Sequence, residues 1–135
     1  MDSISQVKQT TKHNKVHNVT WKEIDTYINK IMKDLNGVSL GLKDIYAVPR
    51  GGFIPAVILS NKLDLPLEFN RYKIRNHTLV VDDIEDSGNT IRELKSVKPN
   101  AVYAVLFSKQ DKPNVNYYAK KVSMDTWVKF PWETK

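Results

Sequence analysis

The stretch Thr78-Leu79-Val80-Val81-Asp82-Asp83-Ile84-Glu85-Asp86-Ser87-Gly88-Asn89-Thr90 constrains the fold more than any other part of the chain. Its first four residues are apolar or β-branched and predict a buried strand. The next five carry four carboxylates, which repel one another and need a metal ion, hydroxyl donors or solvent to compensate them. Ser87 to Thr90 then offers hydroxyls, a glycine and backbone amides just before a helical pattern over Ile91–Val97. A strand that ends in acids and turns into a helix is a unit of a parallel α/β sheet. In such a sheet ligands bind beyond the carboxyl ends of the strands.

The rest of the chain repeats this alternation. Thr20 and Glu23 form a capping box, followed by helical spacing at Ile24, Tyr27, Ile28, Ile31, Met32 and Leu35, with Gly37 closing the segment. A strand is predicted at Ile45–Val48, a turn at Pro49–Gly52 and a helix at Phe53–Leu63, with Pro55 tolerable in its first turn. Further strands are predicted at Pro66–Phe69, Val102–Phe107 and Val122–Val128, with a turn-rich stretch at Asp111–Asn116. Residues 1–17 lack periodicity and read as a loose tail, leaving 18–135 as one domain. His13 and His17 are four apart, but nothing else there supports a helix that would pair them on a metal. The expected fold class is α/β, a mostly parallel open sheet flanked by helices.

Composition excludes several function classes. At 135 residues, 41% hydrophobic and 27% charged, the chain suits one globular core and neither a disordered tail nor two full domains. The apolar runs Phe53–Leu59 and Ala101–Phe107 fall far short of the roughly 20 residues that span a bilayer, so no membrane partner is expected. The absence of cysteine removes disulfides, zinc–thiolate sites and Cys nucleophiles, and a cytoplasmic location is expected. A net charge of +6 suggests an anionic partner, a phosphorylated small molecule or a nucleic acid. The basic residues are dispersed, which fits a solvated surface better than a nucleic-acid stripe.

Two loops carry the chemistry. In Pro49-Arg50-Gly51-Gly52 the glycines let backbone amides approach a ligand and Arg50 adds positive charge at a helix start. In the second loop, Ser87, Gly88, Asn89 and Thr90 suit a phosphomonoester, while Asp82 and Asp83 suit vicinal hydroxyls or a magnesium ion. Carboxylates beside a phosphate cradle point to a sugar phosphate. Neither a P-loop string nor a Gly-x-Gly-x-x-Gly fingerprint is present.

Leu79 to Ile91 resembles the ribose-phosphate motif of the type I phosphoribosyltransferases, and Val48 to Gly52 resembles that family's pyrophosphate loop. Asp125 to Glu133 and Val19-Thr20-Trp21 are similar to the bacterial xanthine-guanine branch. The resemblance implies a type I phosphoribosyltransferase fold with a small hood at the C-terminal end. It implies transfer of ribose 5-phosphate from phosphoribosyl pyrophosphate to a 6-oxopurine, with magnesium as cofactor. Ser87, Gly88, Asn89 and Thr90 would then hold the 5′-phosphate, and Asp82 and Asp83 the ribose hydroxyls, with Asp83 the nearer to magnesium. Arg50 and Gly51 would hold the pyrophosphate, across a cis Pro49–Arg50 peptide. Asp86 would be the general base, while Lys109, Trp127 and Val128 would bind the purine through its 6-oxo oxygen, ring face and exocyclic group. A homo-oligomer, dimer or tetramer, is also implied. One departure stands out: the family's long flexible loop before the Asp-Asp strand is replaced by the eight residues Asn70–His77. This leaves an alternative, a sensor of phosphoribosyl pyrophosphate or nucleotide, or a nucleic-acid binder, with little catalysis.

Overall fold

The computed structural model describes residues 13–134. Helix α1 (Trp21–Asp34) starts at the predicted cap. Thr20 Oγ1 accepts from the Glu23 N–H at 3.1 Å, and the Glu23 carboxylate accepts from the Thr20 N–H at 3.0 Å. These bonds satisfy two donors that a first turn leaves without helical partners. Ile24, Ile28 and Ile31 share one face and are buried, each contributing about 1.5–3 kcal/mol relative to exposure.

The main sheet comprises β2 (Asp44–Ala47), β3 (Leu67–Glu68), β4 (Thr78–Glu85), β5 (Val102–Ser108) and β6 (Tyr117–Lys121). Its order is β3-β2-β4-β5-β6 and every neighbouring pair is parallel. Helix α1 and helix α2 (Phe53–Leu63) cover one face, where Ile28, Leu35 and Leu59 pack with Leu79 and Val81. Helix α3 (Asn89–Val97) and Ile74 cover the other, where Ile91 and Leu94 pack with Tyr46, Val80 and Tyr103. Successive residues of β4 thus enter opposite cores, which explains the unbroken apolar run at its start. From β2 the chain goes to β3 on one side and returns to β4 on the other. The carboxyl ends of β2 and β4 therefore open a crevice at this reversal. A second, two-stranded parallel sheet joins β1 (Lys15–Asn18) to β7 (Thr126–Lys129) and forms a hood.

Three expectations need correction. The segment read as a loose tail to residue 17 supplies β1: Lys15–Asn18 pairs with Thr126–Lys129, and the Val19 N–H donates to Lys129 O at 2.8 Å. Partners more than a hundred residues away stabilise it, and local composition does not show them. Residues 1–12 of that tail lie outside the described residues. The strand expected at Val122–Val128 is confined to β7 at its end, after a turn in which Ser123 Oγ donates to Asp125 Oδ1 at 2.5 Å, and β6 just before it was not expected. Strand β4 does not stop at Val81: Asp82, Ile84 and Glu85 continue the ladder opposite Val105, Phe107 and Ser108.

The Asn70–His77 connection is fastened down. Ile74 is fully buried against the α3 face, and the Arg75 N–H donates to Thr78 Oγ1 at 3.0 Å. The Arg75 guanidinium donates to the carbonyls of Tyr72 and Ile74, both at 3.1 Å. Among the described residues no helix is long and apolar enough to cross a membrane.

Candidate active site

The loop after β2 leads into the N-terminus of α2, and its Pro49–Arg50 peptide is cis, as the resemblance implies. Gly51 lies against the Asp83 carboxylate: a Cβ there would overlap Oδ2 and stand 2.7 Å from Oδ1. Gly52 is hemmed in by backbone, since its Cβ would overlap Val81 O and stand 2.7 Å from Val48 O. The two glycines thus let the loop close down on β4, with Arg50 exposed at its tip.

After β4, Gly88 adopts φ 85° as the residue before α3, a conformation that suits glycine. Ser87, Gly88, Asn89 and Thr90 curl round a cavity of about 90 Å³ that Asp82 also lines. Helices α2 and α3 both direct their N-termini into the crevice, and their dipoles favour anions there. Arg92 adds a charge that the sequence reading missed. Its guanidinium donates to Asn89 Oδ1, and to Ser87 O at 3.4 Å.

Asp82 and Asp83, neighbours on the strand, line different cavities, although their carboxyls stay close enough to interact. Asp82 faces the Ser87–Thr90 cavity, whereas Asp83 lines an open cleft of about 460 Å³ with Arg50, Gly51, Trp132 and Glu133. Burial first, and then the charge of Asp83, push the Asp82 carboxyl up to about 8. Asp83 is also raised, mainly by burial, with Glu133 adding repulsion. Two desolvated carboxylates side by side fit a hard divalent cation, which would relieve both effects. Among the described residues no cluster of three His, Cys, Asp or Glu side chains exists. Such a cation would therefore complete its shell with water and substrate oxygens, as magnesium commonly does.

A pH dependence follows. The folded chain holds a proton on Asp82 between its ordinary value of 3.8 and about 8, where the unfolded chain has lost it. Stability from this group therefore falls as pH rises through that window. A divalent cation held at Asp82 would displace the same proton, so its affinity should rise with pH up to about 8. Calorimetry in buffers of different ionisation enthalpy should show nearly full proton release near pH ~6.5 and only about a quarter as much near ~8.5. Equal release at both would remove the competition.

The base-side residues converge. Asp86, Lys109, Trp127 and Val128, with Ile84, line a cavity of about 220 Å³ that borders the phosphate cradle through Ile84 and Asp86. Lys109 is almost fully buried and its Nζ lies 3.4 Å from Asp86 Oδ1, which is exposed. Trp127 shows half its surface, while Val128 is buried. All the sequence-predicted residues thus border three cavities at one end of the sheet. His13 also lines the base cavity.

Two further groups escaped the sequence reading. Glu85 is buried, and its carboxylate accepts from Ser108 Oγ at 2.9 Å and from the Asn114 N–H and Nδ2 at 2.9 and 2.8 Å. It ties the segment after β5, and with it Lys109, to the acidic strand. Its place in the strand alternation was the available signal, hidden by ending β4 at Val81. Trp132 and Glu133 reach the cleft only because the hood folds back, with Trp132 stacked on Phe130 at 4.8 Å. By contrast, none of residues 70–77 lines these three cavities.

No protein-family model matches the chain. The xanthine-guanine phosphoribosyltransferase of Gluconobacter oxydans is 31% identical over 140 residues, covering 86% of this chain and 83% of the relative. That of Nitratidesulfovibrio vulgaris is 28% identical over 151 residues, covering 92% and 88%. This second match spans more positions than the chain has residues, so the relative carries segments between matched stretches that this chain lacks. The crystal structure of purine phosphoribosyltransferase from Pyrococcus horikoshii superposes with a TM-score of 0.69 at 29% identity, covering 89% of this chain and 95% of that one. Parallel sheet, phosphate cradle and relatives agree: the chain belongs to the type I phosphoribosyltransferase family, on its xanthine-guanine side.

Proposed function

We propose that the protein transfers the ribose 5-phosphate group of phosphoribosyl pyrophosphate to a 6-oxopurine (guanine, xanthine or hypoxanthine), releasing pyrophosphate. The observation that carries this is the single cavity holding Asp86, Lys109 and Trp127 against the Ser87–Thr90 cradle. The backbone amides and hydroxyls of Ser87, Gly88, Asn89 and Thr90 would hold the 5′-phosphate, and Asp82 would accept from ribose hydroxyls. Arg50 and the Gly51 amide would hold the pyrophosphate and offset the charge that it gains as the C1–oxygen bond breaks. Asp83, with Asp82, would hold magnesium, which when bound neutralises charge on the pyrophosphate oxygens. The purine would stack on Trp127 above Val128, whose backbone reads an exocyclic group. The purine nitrogen forms the bond to C1, the electron pair of the C1–oxygen bond leaves with pyrophosphate, and the purine N–H proton passes to Asp86.

Lys109 only donates, so it selects a 6-oxo oxygen over a 6-amino group. Loss of a charged hydrogen bond costs about 1.5–3 kcal/mol, so Lys109→Ala should lower kcat/KM for guanine by about tenfold to a hundredfold. Residual adenine use should be spared, and an equal fall with adenine would undo the assignment.

A homo-oligomer is part of the proposal. The small chain exposes Phe69 and Tyr72 at 72% and 77%, surface that association would bury. A cytoplasmic location fits a chain without cysteine. The deciding experiment follows pyrophosphate release from phosphoribosyl pyrophosphate and magnesium with each purine in turn. Release dependent on a 6-oxopurine establishes the transferase. Magnesium-dependent binding without release would favour the sensor reading, which the fastened Asn70–His77 connection supports.

A further inference from the structure

Resting on the purine site just described, we propose that Glu85 is a positioning residue that holds Lys109 where it pairs with Asp86 and reads the 6-oxo group of the purine. The Glu85 side chain is buried at 1% exposure, and among the described residues no cation pairs with it. A carboxylate withdrawn from water is costly to hold, and an apolar side chain of similar volume in such a place is often neutral or stabilising. The fold alone therefore gains little from a charge at this position. The carboxylate instead gathers donors, since it only accepts. Oε1 takes the Ser108 hydroxyl at 2.9 Å, at the end of β5. Oε2 takes the Asn114 N–H and Nδ2, at 2.9 and 2.8 Å, from the turn that follows.

The Oε1 arm leads to the purine site. Ser108 is buried, and its hydroxyl, while donating to Glu85, accepts from the Gln110 N–H at 3.2 Å. The Gln110 side chain turns back and donates to Asp86 O. Between the two, the Lys109 N–H donates to Glu85 O at 2.9 Å. Residues 108, 109 and 110 are thus each bonded to the Glu85–Asp86 segment, and the Lys109 backbone is fixed on both sides. Its buried side chain lines the base cavity and brings Nζ to 3.4 Å from Asp86 Oδ1. On a 6-oxopurine the oxygen at position 6 and the nitrogen N7 are neighbours on one edge. A Lys–Asp pair held at this spacing serves both atoms at once, and its usefulness depends on how firmly the spacing is held. The Oε2 arm lies on the cradle side: Asn114 Nδ2 stands 2.9 Å from where a Cβ on Gly88 would be. The two oxygens of one buried carboxylate thus serve separate halves of the site.

Steady-state kinetics on the full chain test this. Glu85→Gln keeps an oxygen for Asn114 but turns an N–H toward the Ser108 hydroxyl, so it breaks the purine-side arm alone. KM for guanine and for hypoxanthine, which share the 6-oxo group, should rise together by about fivefold to tenfold. KM for phosphoribosyl pyrophosphate should stay within about twofold. Ser108→Ala removes the same bond from its other end and should show the same split. It carries the test alone if thermal denaturation shows that Glu85→Gln does not fold. Added to Lys109→Ala, Glu85→Gln should lower kcat/KM for guanine no further, because the side chain being positioned is already gone. A rise in KM for phosphoribosyl pyrophosphate equal to that for the purines would show that Glu85 only supports the fold and would overturn the proposal. Full additivity with Lys109→Ala, or an unchanged purine KM, would overturn it as well. Failure of the underlying transferase reading looks different: the unmodified protein would then release no pyrophosphate with any purine.

Discussion

Asp86→Asn should lower turnover with guanine by about 10² or more while phosphoribosyl pyrophosphate binds as before. The substitution keeps the shape of the side chain and its place at the mouth of the base cavity, but the amide accepts no proton. The backbone around it is fixed independently, because Glu85 anchors to Ser108 and Asn114 and the α3 cradle begins at Gly88. The phosphate half therefore stays intact, and binding followed by calorimetry without purine should be unaltered. Lys109 loses its charged partner at 3.4 Å, so some rise in purine KM accompanies the fall in kcat. The two effects separate in the kinetics, since loss of the base appears at saturating purine and loss of pairing does not. Turnover unchanged at saturation would remove Asp86 from proton transfer.

The second large effect divides two adjacent glycines. Gly51→Ala places a methyl group on the Asp83 carboxylate, a side chain able to swing away. The fold should survive with nearly the same melting temperature, while magnesium-dependent binding of phosphoribosyl pyrophosphate and kcat/KM fall by about 10² or more, since misplacing a catalytic group by even ~1 Å costs that much. Gly52→Ala places its methyl group on the carbonyls of Val81 and Val48, backbone atoms of the central ladder. Those cannot yield without breaking the β2–β4 register, so several kcal/mol should be lost from a total of about 5–15. Thermal denaturation of both variants, with binding measured on Gly51→Ala, distinguishes the roles. Normal binding by Gly51→Ala would mean that Asp83 is not needed where it stands.

What could be read in advance follows from how local each feature is. The cap at Thr20, the Leu79–Val81 strand and the Ser87–Thr90 cradle each rest on a few adjacent residues, and their chemistry shows in the order of side chains. The extension of β4 to Glu85 was hidden because charge suggested surface. In fact β5 supplies backbone partners to the end of the strand, and Ser108 and Asn114 satisfy the Glu85 carboxylate. The division of Asp82 from Asp83 between two cavities follows from that extension. Strand β1, the His13 position and the reach of Glu133 depend on contacts across most of the chain length, and no local pattern encodes them.

The hood also sets an order on assembly. Four contiguous residues, Ser87 to Thr90, form the phosphate cradle, while the base cavity draws on β1 and β7, tied just before their starts by Asn14 and Asp125, which are 111 positions apart. Closing so long a loop costs more entropy than closing a short one, and nothing offsets that cost until the central sheet exists. The cradle therefore belongs to the early, local part of folding and the base cavity to the late, long-range part. In the finished molecule the same asymmetry makes β1 and β7 the cheapest pair to separate, since their two-stranded sheet is the smaller of the two. A transient parting of the chain ends would uncover the purine and leave the sugar phosphate held, giving the departing nucleotide a route that begins at the base.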